Sequence, residues 1–165
     1  MKTLIIVRHA KSSWDIPDTD DFSRPLNERG IRNAPEMARR LVLRELLPEL
    51  ILSSPAKRAI STARLFNEQF GKKDEMIKME ASIYEADIQT LYRLISRQDP
   101  DLDRILIVGH NPGMSDFLNW LCDTEEVLST CAIAEIRVDD FKWNGWKRGI
   151  GELIDLDYPK KGLHE

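Results

Sequence analysis

The sequence predicts an α/β fold, a three-layer sandwich in which helices cover both faces of a mostly parallel sheet. Short apolar runs alternate along the chain with longer stretches whose apolar residues recur at helical spacing. Such runs are typical of strands that are buried on both faces between helices. The length of 165 residues suits one domain of this kind and is short for two, so a single domain is expected over residues 1–165.

Six segments are predicted as strands because they are short and either mainly apolar or alternating. They are residues 4–7, 50–52, 76–79, 105–108, 132–138 and 152–156. The first four are expected in the buried part of the sheet. The last two alternate apolar with polar residues, so they are expected at the edge of the sheet, where one face is wetter.

Two helices are predicted on either side of the second strand. Residues 31–47 have helical periodicity, and Pro35 is expected either to kink this helix or to stand at its true start. The next helix is predicted to begin at Ser54-Pro55, with proline in the first helical position, and to end at Gly71. Arg58 therefore falls in the first turn of that helix.

Two further helices are predicted on either side of the fourth strand. Asp87 is expected to cap the first of them, because its carboxylate can accept hydrogen bonds from backbone N–H groups of the first turn. The second follows Pro112-Gly113. Residues 11–25 are rich in Asp and Ser, so they are expected to form an ordered surface loop rather than a linker between domains.

Composition and charge argue against several classes of partner. Asp and Glu number 28 against 24 Lys and Arg, and the net charge of −4 gives no general attraction to nucleic acid or anionic lipid. The apolar runs are far shorter than the roughly 18 residues of a membrane helix. Arg8 comes too early for the apolar region of a secretory signal. We therefore expect a cytoplasmic protein that binds neither nucleic acid nor membranes.

Polar residues follow three of the predicted strands at the point where each strand ends. Arg8 and His9 come directly after the first strand, Arg58 follows the second, and His110 follows the fourth. Because open α/β sheets bind their ligands at the carboxyl ends of parallel strands, we expect these four side chains to share one crevice.

The position of Arg58 predicts an anion nearby. A cation in the first turn of a helix opposes the positive end of the helix dipole by a few tenths to about 1 kcal/mol. A bound anion would reverse that penalty, and the free N–H groups of a helix start would add to its binding. A solvent-facing arginine is the alternative.

Paired histidines also raise the possibility of a metal centre, because imidazole is a common metal ligand. Two flanking arginines argue against a bound cation, and no histidine or carboxylate stands at ligand spacing from His9 or His110. His164, near the end of the chain, is expected in solvent, and Cys122 and Cys131 form no CxxC pattern. The four residues suit a small, doubly charged oxyanion that one imidazole is free to attack.

Three segments resemble the signature segments of the histidine phosphatase superfamily, in the family's order and at the ends of predicted strands. They are Ile-Val-Arg-His-Ala at 6–10, Ser-Ser-Pro-Ala-Lys-Arg-Ala-Ile-Ser-Thr-Ala at 53–63 and Val-Gly-His-Asn-Pro at 108–112. The segment Arg-Pro-Leu-Asn-Glu-Arg-Gly at 24–30 further resembles the small SixA-like phosphohistidine phosphatases. Ala10 departs from the glycine that many members carry after the histidine. The resemblance implies a phosphoglycerate mutase-like fold.

The resemblance also implies a role for each residue of the expected crevice. His9 is the nucleophile that takes the phosphoryl group, Arg8 and Arg58 hold the phosphoryl oxygens, and His110 completes the pocket. Water then hydrolyses the phosphohistidine without a metal ion or another cofactor. Larger members use a carboxylate to protonate an alcohol leaving group, for which Glu85 is the candidate here; a solvated loop residue is the alternative.

The function implied is removal of phosphate from phosphohistidine on a signalling or phosphocarrier protein. A departing imidazole needs no strong acid, and the short chain has no insertion long enough for a lid, which suits a pocket open to a protein side chain. Two alternatives stay open. One is a phosphomonoesterase of small metabolites, and the other is a catalytically silent module that binds phosphate or phosphohistidine.

Overall fold

The computed structural model describes residues 1–161, which contain six strands and four α-helices. The strands are β1 (Lys2–Arg8), β2 (Leu50–Ser53), β3 (Ile77–Met79), β4 (Arg104–Gly109), β5 (Ile133–Val138) and β6 (Gly151–Asp157). The helices are α1 (Glu28–Leu43), α2 (Lys57–Phe70), α3 (Ile88–Ser96) and α4 (Gly113–Cys122). Two short 3-10 helices, Asp74–Met76 and Ala81–Ile83, flank β3.

All six strands belong to one sheet with the order β3-β2-β4-β1-β5-β6. The strands β3, β2, β4 and β1 pair in parallel, whereas β5 is antiparallel to both β1 and β6. The predicted α/β class with a mostly parallel sheet is confirmed. This order places the carboxyl ends of β2, β4 and β1 side by side.

The core has two parts, one on each face of the sheet, because successive strand residues point to opposite faces. In β1, Ile5 and Val7 pack with α1 and α2, and Leu4 and Ile6 pack with α3 and α4. These β1 residues are fully buried. Helices therefore cover both faces, which makes the three layers expected from the sequence.

Two of the strand positions differ from the prediction. The segment at 76–79 was expected in the buried part of the sheet, but β3 is an edge strand in which Lys78 and Met79 are exposed. The segment at 132–138 was expected at an edge, but β5 lies between β1 and β6, and Arg137 is its one exposed residue. The burial of a strand depends on its position in the sheet, and the local pattern of apolar residues does not show that position. The edge position of β6 is confirmed.

Two helix starts also differ from the prediction. Helix α1 begins at Glu28 and ends at Leu43, so Pro35 lies inside the helix and is not its start. Helix α2 begins at Lys57, after the cap position at Ala56, so Ser54-Pro55 precedes the helix and proline does not take its first position. The Ser54 hydroxyl instead accepts a hydrogen bond from the Ala56 N–H at 3.2 Å, which makes a turn before the helix.

Other local predictions are confirmed. Helix α2 ends at Gly71, whose φ of 68° is the left-handed conformation that favours glycine at a helix end. The Asp87 side chain accepts a hydrogen bond from the Thr90 N–H at 2.9 Å and so caps α3. Cys122 and Cys131 are free.

His164 lies outside the described residues. Within residues 1–161, no helix has the length and apolar character needed to cross a bilayer.

Candidate active site

The four residues singled out in the sequence line one cavity of about 580 Å³ at the carboxyl ends of β1, β2 and β4. The strand register explains why they meet. Arg8 in β1 is paired with Gly109 in β4, so the residues that follow these two positions, His9 and His110, are neighbours. Their ring centroids lie 5.1 Å apart.

His9 is buried, with 6% of its surface exposed, and its ring is oriented by the backbone. Its Nδ1 atom lies 2.7 Å from the carbonyl oxygen of Ala10, which can only accept a hydrogen bond, so Nδ1 carries the proton. The other ring nitrogen, Nε2, then keeps its lone pair. Burial lowers the pKa of His9 to about 3, and the charges of Arg58 and Arg8 contribute in the same direction, so the ring is neutral at pH 7.

His110 is held from two sides. Its Nε2 atom lies 2.8 Å from the hydroxyl oxygen of Ser54, and the ring of Tyr84 packs edge-on against it at 5.5 Å between centroids. Burial and the neighbouring Arg58 lower the pKa of His110 to about 4. The turn at Ser54-Pro55, expected from the sequence to start a helix, thus orients a histidine of the site.

The two arginines are fixed by different partners. Arg8 donates a hydrogen bond from Nη1 to the carbonyl oxygen of Leu128 at 2.9 Å. Arg58 donates from Nη2 to a carboxylate oxygen of Asp21 at 3.0 Å, and from Nη1 to the backbone oxygen of the same residue at 2.5 Å. Asp21 therefore places one negative charge beside Arg58, whereas the bound anion expected there stays a prediction. The alternative of a solvent-facing Arg58 is wrong, since 5% of its surface is exposed.

Three further residues line the cavity that were not predicted from the sequence: Asp21, Arg24 and Tyr84. The Asp21 carboxylate also accepts hydrogen bonds from Arg24 Nη2 at 2.9 Å and from the Tyr84 hydroxyl at 2.6 Å. Arg24 opens the segment at 24–30 that carries the subfamily resemblance, and this signal could have identified it. Asp21 and Tyr84 lie outside any regular helix or strand, so no periodic pattern marks them.

Several buried side-chain nitrogen atoms of the cavity residues lack a hydrogen-bond partner within residues 1–161. They are the Nε atoms of Arg8, Arg24 and Arg58 and the Nδ1 atom of His110. A buried N–H group without a partner is costly, and an oxyanion can accept several such bonds at once. Among the described residues, no group of three or more His, Cys, Asp or Glu side chains is placed to hold a metal ion. The donor set therefore fits an anion.

Glu85 also lines the cavity, as do Asp87 and Asp116. It is exposed, and its φ of 58° places a residue other than glycine in the left-handed region. Glu85 directly follows Tyr84, so the backbone of this turn carries both the ring that contacts His110 and the candidate acid.

Comparison with known proteins establishes the family. The model of the histidine phosphatase superfamily (branch 1) matches residues 4–100, which include Arg8, His9, Arg58 and Glu85. The chain belongs to this superfamily. It is also 32% identical over 163 residues to an uncharacterised chloroplastic protein of Arabidopsis thaliana, an alignment that covers 88% of this chain and 75% of that protein.

Solved structures share the fold over nearly the whole chain. The crystal structure of a protein named as the phosphohistidine phosphatase SixA, from Agrobacterium tumefaciens, is 28% identical, has a TM-score of 0.82 and aligns over 96% of this chain and 98% of its own. The protein histidine phosphatase SixA complexed with tungstate is 21% identical, with the same TM-score and the same coverage of both chains. The phosphoglycerate mutase-like fold expected from the sequence is therefore confirmed.

Proposed function

We propose that the chain is a metal-independent phosphohistidine phosphatase in which His9 is the nucleophile. The observation that carries the proposal is the state of the His9 ring. Its Nδ1–H group is committed to the Ala10 carbonyl, its Nε2 lone pair is free, and burial keeps the ring neutral beside two arginines. A neutral imidazole with a free lone pair attacks phosphorus without first losing a proton.

In the first step, the Nε2 lone pair of His9 forms a bond to phosphorus. The bond from phosphorus to the substrate nitrogen breaks, and its electron pair stays on the departing imidazole. That imidazole leaves as a neutral ring because its other nitrogen already carries a proton. Arg8, Arg58 and His110 donate hydrogen bonds to the phosphoryl oxygens as charge redistributes among them.

In the second step, a water molecule attacks the phosphorus of the phosphorylated His9. The phosphorus–Nε2 bond breaks and its electron pair returns to Nε2, so His9 regains its neutral form. The water passes a proton to bulk solvent, and inorganic phosphate is released. The hydrogen bond from Nδ1 to Ala10 persists through both steps, so the same ring orientation serves attack and release.

The substrate that we favour is phosphohistidine on a protein. The similarity to the Agrobacterium protein, at 28% identity over nearly the full length, supports this class of substrate. The chemistry of the cavity supports it as well, because an imidazole departs without the strong acid that an alcohol requires. We also propose that residues 1–165 act as one domain. The cytoplasmic location expected from the sequence stays a prediction, and the similar Arabidopsis protein is chloroplastic.

The proposal is tested by measuring phosphate release from a phosphohistidine protein, a phosphoaspartate protein and a panel of phosphomonoesters. Wild type is expected to release phosphate fastest from phosphohistidine and to form a transient, acid-labile phosphoryl-enzyme. His9→Ala should abolish both, lowering turnover by several orders of magnitude while thermal unfolding stays cooperative. Wild-type turnover in His9→Ala would refute the nucleophile. Binding of phosphohistidine without any release would identify a silent binding module instead.

A phosphomonoesterase is the second candidate function, and the position of Glu85 favours it. Glu85 lines the same cavity as His9, and a carboxyl group in the cavity is the kind of group that can donate a proton to an alcohol leaving group. The two functions predict different effects of substituting Glu85: little change if phosphohistidine is the substrate, and a large loss if alkyl phosphates are.

A further inference from the structure

The loop between β1 and α1 brings a carboxylate into contact with the arginines of the candidate active site. The geometry points to Asp21 as a positioning residue that holds Arg58 in the orientation in which it binds the phosphoryl oxygens. This inference rests on the proposed function, because it takes Arg58 as a group that binds those oxygens.

The contacts of Asp21 are divided between its two carboxylate oxygens. Oδ1 accepts a hydrogen bond from Arg24 Nη2 at 2.9 Å, and Oδ2 accepts one from Arg58 Nη2 at 3.0 Å. The backbone oxygen of Asp21 accepts a third from Arg58 Nη1 at 2.5 Å, so the Arg58 guanidinium is held at two points. Two charged side chains from different elements are thus fixed relative to each other by one residue.

The contacts leave both arginines able to bind a ligand. A guanidinium has more N–H donors than Asp21 accepts, and the Nε atoms of Arg58 and Arg24 are buried without a partner in the described part of the chain. An arginine side chain has many rotamers, and binding an anion with a disordered one costs the entropy of ordering it. Because Asp21 already orders the Arg58 side chain in the free protein, this entropy is not lost when the phosphoryl group binds.

Tyr84 connects Asp21 to His110, because it contacts both residues. The Tyr84 hydroxyl donates to Asp21 Oδ2 at 2.6 Å, while its ring packs edge-on against the rings of His110 and Phe22. The hydrogen bond from Tyr84, together with those from Arg24 and Arg58, lowers the pKa of Asp21, so this residue stays charged at neutral pH.

A competing role for Asp21 predicts the opposite effect on anion affinity. If its carboxylate occupied Arg58 in place of the phosphoryl group, its removal would free the guanidinium and tighten anion binding. If Asp21 positions Arg58, its removal weakens anion binding. The affinity for vanadate, a phosphate-like oxyanion, therefore distinguishes the two roles without any substrate.

The experiment measures vanadate affinity in wild type, Asp21→Ala, Arg58→Ala and the double variant. Asp21→Ala is expected to weaken binding about tenfold, the size of one charge-assisted hydrogen bond. The same change is expected to have little further effect in the Arg58→Ala background, because Asp21 acts through Arg58. Asp18→Asn, a matched loss of charge at an exposed position of the same loop, should bind vanadate as wild type does.

Asp21→Asn is a second variant in case Asp21→Ala folds poorly, because it keeps the size of the side chain and removes its charge. Nitrogen-15 spectra of the Arg58 guanidinium provide a readout that loop stability alone does not move. Rotation of the guanidinium should be slow in wild type and fast in Asp21→Asn. Thermal unfolding of both proteins should be similar.

The outcomes separate this inference from the proposed function. Unchanged or tighter vanadate binding in Asp21→Ala, or additive effects with Arg58→Ala, would overturn the positioning role and leave the phosphatase proposal intact. Wild type that fails to bind vanadate would refute the oxyanion site itself and the inference with it. Failure to hydrolyse phosphohistidine, combined with the expected vanadate results, would refute the substrate and support the role of Asp21.

Discussion

His9 and His110 are buried side by side, and their chemistry depends on that burial. Their ring centroids are 5.1 Å apart, and a proton on either ring would face the other ring and the charge of Arg58. Both rings are therefore neutral at pH 7. In the proposed mechanism, neutrality lets His9 act as the nucleophile and His110 contribute a single N–H donor, while Arg8 and Arg58 supply the positive charge.

The lowered pKa values predict how stability depends on pH. Histidine has an ordinary pKa of 6.5, whereas the folded values are about 3 for His9 and about 4 for His110. Between pH 6.5 and about 4 the unfolded chain binds more protons than the folded one, so the free energy of unfolding falls as pH falls. Each histidine contributes at most about 1.4 kcal/mol per pH unit to this decrease.

Replacing His9 by glutamine removes one of these two contributions. Urea unfolding of wild type and His9→Gln at several pH values from 7 to 5 measures the difference, and the variant should lose stability with a shallower slope. Identical slopes would contradict the burial of a neutral His9. His110→Asn offers a second comparison with the same expected direction.

Glu85 distinguishes the two candidate functions. If phosphohistidine is the substrate, the imidazole departs unaided and Glu85→Gln should change turnover little. If phosphomonoesters are the substrate, loss of a positioned acid should cost roughly 10²–10⁴-fold on alkyl phosphates. Turnover of a phosphohistidine protein and of alkyl and aryl phosphates by both proteins measures this, with the aryl ester as the control whose better leaving group lessens the need for an acid.

We expect poor use of alkyl phosphates by wild type and by Glu85→Gln, and a negligible loss on phosphohistidine. Efficient turnover of an alkyl phosphate by wild type, with a large loss in Glu85→Gln, would replace the phosphohistidine proposal by the phosphomonoesterase.

At the scale of elements, the residues after β1 are held by the start of α1. The carbonyl oxygen of Lys11 accepts a hydrogen bond from the Asn27 N–H at 3.0 Å, and the Asn27 side chain accepts one from the Gly30 N–H at 2.9 Å. A Cβ atom at Gly30 would overlap the Lys11 carbonyl oxygen. Helix α1 therefore approaches this backbone at a distance that only glycine allows.

Gly30→Ala is expected to lower the free energy of unfolding by about 1–3 kcal/mol, because the helix or the loop has to move. Lys11 directly follows the proposed catalytic segment at 8–10, so phosphate release should fall as well. Arg32→Ala, at an exposed position of the same helix, is the control and should be neutral. Urea unfolding measures the difference; equal stability of Gly30→Ala and the control would show that the contact relaxes at no cost.

At the scale of the whole molecule, the site lies where three parallel strands end together. The strands β2, β4 and β1 are adjacent in the sheet, and each is followed directly or within a few residues by part of the cavity wall. The proposed mechanism stabilises the reacting phosphoryl group with guanidinium and imidazole groups of the chain alone.

Chelators are therefore expected to leave turnover unchanged. Phosphate release before and after dialysis against EDTA measures this, with a known zinc- or magnesium-dependent phosphatase treated in parallel as the positive control. A loss that added zinc or magnesium restores would show that a metal ion takes part.

The sequence by itself determined the layers of the fold and four residues of the candidate site. Buried strands and amphipathic helices have periodicities that can be read locally, and Arg8, His9, Arg58 and His110 each stand at the end of a strand. The rule that parallel strands present ligands at their carboxyl ends then predicts these residues at one edge of the sheet. The strand order, in which β2, β4 and β1 are adjacent, makes them neighbours.

Only the tertiary structure decided which strands are buried and which residues hold Arg58. It also decided how far the pKa values of His9 and His110 lie below the ordinary value. The edge position of β3 follows from the order of the whole sheet, and the pKa values follow from surrounding atoms that are distant in sequence. Asp21 and Tyr84 come from segments without periodicity, 63 positions apart, and meet because the loop after β1 and the turn before α3 close over the same strand ends. Contacts of this kind depend on the path of the chain between the elements, which no local pattern records.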